Sequence, residues 1–121
     1  MSHNPMMPKM NPALTLTNNG NTIEVVGPIH WNPQNPPIPR EIAAVFAVVV
    51  SQVKPNGGIA VAIGGSDTYL PNQPDWDADA NAIGQTGPFS PGGATAAAWA
   101  AVAHDDGGSW SYQWTLPVVL Q

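Results

Sequence analysis

The chain contains no cysteine, and only 9% of its 121 residues are charged. Without thiols there can be no disulfide framework and no thiolate metal site, although a chain free of cysteine is stable in either redox compartment. A charged fraction near 25% is usual. Lys9, Arg40 and Lys54 are the only lysine and arginine residues, and the net charge is −5. Nucleic-acid binding relies on clustered Lys and Arg to neutralise phosphates, so no nucleic-acid partner is expected. The same shortage argues against docking on anionic membranes. No run approaches the roughly 18 apolar residues of a membrane span, so no membrane insertion is expected. The opening "MSHNPMMPKMNP" lacks a basic stretch followed by an apolar one and does not read as a signal peptide.

Proline, glycine and amide side chains stand where the charge is missing. Residues 1–12 read as an extended arm and residues 13–121 as one domain, a size that folds without metal or disulfide. "ALTLTNNGNTIEVVG" has two β-prone runs around an Asn-Gly signal and predicts a hairpin. The segment "GPIHWNPQNPPIPR" carries five prolines and can be neither helix nor central strand. "EIAAVFAVVVSQV", Glu41 to Val53, predicts a strand buried on both faces, and "IAVAIGG" a further strand. Residues 66–93 are mostly polar and read as a long connection with short strands near Asp67 to Leu70 and near Phe89.

"GATAAAWAAVAHDDGGSWSYQWTLPVVLQ" is helix-prone by its alanines, but a hairpin explains it better. A two-residue turn at Asp106-Gly107 pairs Trp99 with Trp114 and Ala101 with Tyr112. That register buries Trp110, Tyr112 and Trp114 and turns Ala96, Ala98, Ala100 and Val102 outward. Many short strands, turn-rich connections and no firm helix predict an all-β, antiparallel two-sheet sandwich of immunoglobulin-like type, ending in this C-terminal hairpin.

The sharpest chemical signal is "DWDADAN". Asp75, Asp77, Asp79 and Asn81 match the first half of an EF-hand loop. Ala80 and Thr86 stand where that loop needs glycine and glutamate. A weak calcium site, an Asx-rich turn and a short edge strand with Trp76 inward are all compatible with it. No high-affinity site and no other cofactor is expected. Met1, Met6, Met7, Met10 and His3 are of the ligand types that suit copper. Catalytic signatures are weak: His104 adjoins Asp105 and Asp106 beside a turn, and Ser66, Asp67 and His30 form a triad only if a fold is assumed.

These observations predict a non-enzymatic structural or protein-interaction module, with self-association among its modes. Trp31, Trp76, Ala96, Ala98 and Ala100 are its expected ligand or partner surface. The alternatives are a carbohydrate- or ligand-binding domain with calcium in the acidic segment, and a copper-handling protein using the arm.

Overall fold

The computed structural model describes residues 9–31 and 40–121. Seven strands follow one another: β1 (Ala13–Thr17), β2 (Thr22–Pro28), β3 (Glu41–Val53), β4 (Ile59–Gly65), β5 (Asp75–Ala82), β6 (Gly92–His104) and β7 (Ser109–Leu120). They close into a barrel in the order β1-β2-β5-β4-β3-β6-β7, with β7 returning to β1.

This corrects the expected two-sheet sandwich. The β4-β3-β6-β7 and β1-β2-β5 groups are joined by two hydrogen-bonded seams. At one, Ala62 pairs with Ala82 and Ile63 with Asn81. At the other, β1 and β7 run parallel, with Ala13 opposite Val119 and Leu14 opposite Leu120. Each seam is only two residue pairs long, yet each removes the free edges a sandwich would have there. Gly64 makes the first seam possible. A Cβ there would lie 1.9 Å from the Asp79 carbonyl oxygen, so β5 crosses β4 at a distance only glycine permits.

The β1–β2 hairpin forms as expected, and its turn is a 3-10 segment, Asn18–Gly20, in which all three residues take positive φ. β3 is a strand, but it is not buried on both faces. Ala44, Phe46, Val48 and Val50 point inward, while Val45 is 42% and Val53 74% exposed. The connection after β4 holds one isolated bridge, Tyr69 with Ala44, near the place expected for a short strand. No strand forms near Phe89, which is instead buried in the core. The full strand of this region is β5, which is the acidic segment itself.

Residues 94–104 are strand, and the C-terminal hairpin forms with a register one residue from the expected one. Its loop spans three residues, 105–107: the His104 N–H donates to the Gly108 carbonyl (2.9 Å) and Gly107 N–H to the His104 carbonyl (3.1 Å). Gly107 sits at φ +88°, as the last position of a three-residue loop requires. With the β7 aromatic residues inward as expected, the one-residue shift puts every β6 side chain on the opposite face from the expected one. Trp99 therefore faces Gln113 on the outside, and Ala98 faces Trp114 and Ala100 faces Tyr112 on the inside. Ala96, Ala98 and Ala100, expected on the outer surface, are buried at 0%, 0% and 2% exposure. Small residues on β6 still make room for aromatic ones on β7, one position over from the expected pairing.

Trp76 anchors the interior. It stacks on Phe46 at a centroid distance of 4.3 Å and meets Trp114 edge-on at 6.4 Å. Its indole N–H donates to the Lys9 carbonyl at 2.8 Å.

Candidate interaction surface

The predicted site residues do not gather in one place. Alternation along β5 turns Trp76, Ala78 and Ala80 inward and Asp75, Asp77, Asp79 and Asn81 outward. Trp76, expected on the surface, is 1% exposed. The carboxylates lie opposite β2, with Asp79 facing Glu24, Asp77 facing Val26 and Asp75 facing Pro28. Alternate strand residues stand about 7 Å apart, whereas calcium takes its oxygens at about 2.3–2.6 Å. Among the described residues, no three acidic or histidine side chains converge to hold a metal. Asn81 accepts from the Thr22 hydroxyl at 2.9 Å. The Tyr69 hydroxyl donates to the Asp77 carboxylate at 2.6 Å and accepts from the Asp77 N–H at 3.0 Å. Burial, then the hydrogen bond to the Asp77 side chain, raises the Tyr69 pKa above 10. Trp31 is half-buried against the core and donates to the Gln73 carbonyl at 2.8 Å.

Of the methionine-rich arm, Met1, Met6, Met7 and His3 lie outside the described residues; Met10 is buried at 6% exposure. Residues 9–12 are tied to the barrel. The Lys9 N–H donates to the Pro28 carbonyl, Asn11 N–H to Val26, and Val119 N–H to Pro12. Of the residues considered for catalysis, His104 is 3% exposed opposite Glu41, which is 2% exposed. The Ser66 hydroxyl donates to the Asp67 carbonyl and accepts from the Phe46 N–H, both within 2.9 Å. It serves the backbone where β4 ends.

The feature that sequence reasoning missed is one edge of β7. The ladder with β1 stops at Val119, and residues 111–117 have no strand beside them on that side among the described residues. The inward side chains along this stretch, Tyr112, Trp114 and Leu116, are only partly buried. The Tyr112 hydroxyl and the Trp114 indole nitrogen are themselves buried, and neither has a hydrogen-bond partner among the described residues. Such groups are costly to leave unmet. Burial, followed by the nearby Glu41 charge, pushes the Tyr112 phenol up to about 12. A usable signal was present in the sequence: from Ser109 to Leu120 no residue is charged.

No family model matches this chain. No curated protein matches it either. A solved structure similar to it is AggA, the major subunit of aggregative adherence fimbriae type I from Escherichia coli. The likeness covers 97% of this chain and 93% of that one, at 16% identity and a TM-score of 0.49, and says nothing about any individual side chain.

Proposed function

We propose that this chain is a non-enzymatic structural module that works through protein–protein contact, and that copies of it associate by strand addition at the open edge of β7. The observation that carries the reading is that edge, residues 111–117, with the half-buried Tyr112, Trp114 and Leu116 behind it. Sheet edges are ordinarily guarded by charge, and β7 has none. An added strand brings backbone donors and acceptors to the N–H and C=O groups along residues 111–117. It also covers aromatic surface. The donor is the segment before Lys9 in a second copy, whose methionines suit an aromatic wall. Residues 9–12 are already engaged in the barrel, so the donor is residues 1–8.

Sedimentation velocity across a concentration series tests the reading. The full chain should form assemblies that grow with concentration, and a chain lacking residues 1–8 should lose this mode while keeping its circular dichroism. Identical sedimentation of the two chains contradicts it.

A further inference from the structure

Parallel strands bond in an evenly spaced pattern. Each bonded residue donates to the residue before its partner and accepts from the residue after it. The β1–β7 seam follows this pattern. Val119 N–H donates to the Pro12 carbonyl at 2.7 Å, Gln121 N–H to Leu14 at 2.9 Å, and Leu16 N–H to Gln121 at 2.8 Å. The even-numbered residues of the entering chain therefore face β7, and the odd-numbered residues of β7 face the entering chain. β7 pairs with β6 from Ser109 to Leu120 without a register shift, so the same parity holds along the open edge. Ser111, Gln113 and Thr115 present both N–H and C=O there.

The pattern also says which bonds would come next as the seam runs toward the open edge. The first is from the N–H of residue 12 to the carbonyl of residue 117. The second is from the N–H of residue 117 to the carbonyl of residue 10. Both donor positions hold proline, Pro12 and Pro117, and proline has no N–H. Two consecutive rungs are thus missing where the seam stops. Beyond that point the entering chain is held by β2 instead. Lys9 and Asn11 donate to Pro28 and Val26, and the Lys9 carbonyl accepts from the Trp76 indole. Gly27 admits this path, since a Cβ there would collide with the Lys9 carbonyl. Both prolines are exposed, so neither is needed to fill the core. Pro117 is tolerated in a strand bonded to β6 because its missing donor faces the edge.

We infer that Pro12 and Pro117 are a pair of stops that keep the chain's own entering segment from closing the β7 edge, so that residues 111–117 stay available to a second copy. This rests on the edge reading above and names what regulates that site. Without the stops, residues 10–12 extend the seam along residues 115–117 and occupy in cis the groups that an added strand needs.

The experiment uses the full chain carrying Pro12→Ala and Pro117→Thr together, which adds one amide at each position. Hydrogen exchange is followed by NMR at the lowest concentration of a sedimentation-velocity series. Both new amides should exchange at least about tenfold more slowly than in the unfolded chain, at every concentration. Association should be at least about tenfold weaker than in the parent, because only the fraction with an open edge can bind. Fast exchange at either new amide overturns the inference, and so does slow exchange with association equal to the parent's. The two amides report on the seam whatever the parent's sedimentation, so failure here is told apart from failure of the edge reading. Should the double variant fail to fold by circular dichroism, Pro117→Thr alone carries the same readouts.

Discussion

Trp114 on β7 meets Trp76 on β5 edge to face, with centroids 6.4 Å apart and planes at 89°. The contact spans the interior between the two strand groups that the short seams join. Trp76 also stacks on Phe46 of β3 and holds Lys9 by its carbonyl. One side chain on β5 thus ties β3, β7 and the chain leading into β1.

Trp76→Ala should cost about 3–5 kcal/mol of unfolding free energy, the range for emptying a buried aromatic site. Trp76→Phe keeps the stacking on Phe46 but loses the bond to Lys9, so it should fall between. Urea denaturation followed by circular dichroism measures both.

The register of the C-terminal hairpin predicts opposite results at adjacent alanines. Ala100 faces Tyr112 inside the barrel, and Ala101 faces Ser111 outside. Ala100→Leu should overpack the interior and cost about 1–3 kcal/mol. Ala101→Leu should stay within about 0.5 kcal/mol of the parent. The register that pairs Trp99 with Trp114 predicts the reverse order in the same denaturation experiment.

Gly64→Ala places a methyl group 1.9 Å from the Asp79 carbonyl, so the β4–β5 seam must move. Gly93→Ala meets nothing within 4 Å. The first should lower the melting temperature by several degrees, equivalent to about 1 kcal/mol or more, and the second should leave it nearly unchanged. Equal effects would mean that β4 and β5 do not approach as described.

Both tyrosines of the chain titrate high in the folded state, Tyr112 at about 12. A raised pKa means that the folded form holds its proton more tightly than the unfolded form. That contribution to stability is complete below pH 10 and is lost as pH rises from 10 toward 12. Absorbance of the phenolate should show no full tyrosine ionising at pH 10 while the protein is folded, and Tyr112→Phe should remove the upper step. Two phenols titrating together at 10 in folded protein contradict the described burial.

Strand existence was legible where β-branched residues repeat, as in Glu41 to Val53 and Thr22 to Val26. The hairpin of residues 92–120 was legible too, because its aromatic residues need small partners. Its register was not. Asp106-Gly107 reads equally as a two-residue turn or as the end of a three-residue loop, and that single residue decides which face Ala96, Ala98 and Ala100 occupy. β5 was legible only in part, as one of three readings of the acidic segment, the short edge strand with Trp76 inward. Aspartate is depleted in strands, so its alternation in residues 75–81 first suggests a loop, although Trp76, Ala78 and Ala80 form the buried half of a period-2 pattern. Barrel closure left no local trace, since each seam rests on two residue pairs between segments far apart in the chain.

The central claim is that residues 111–117 of β7 take up a strand from another copy. Hydrogen exchange of the full chain at low and high protein concentration addresses it at the amides concerned. The account predicts that exchange in this segment slows as concentration rises, and that the effect disappears in the chain lacking residues 1–8. Exchange that is independent of concentration, whether fast because the edge stays open or slow because the same chain covers it, would contradict the claim.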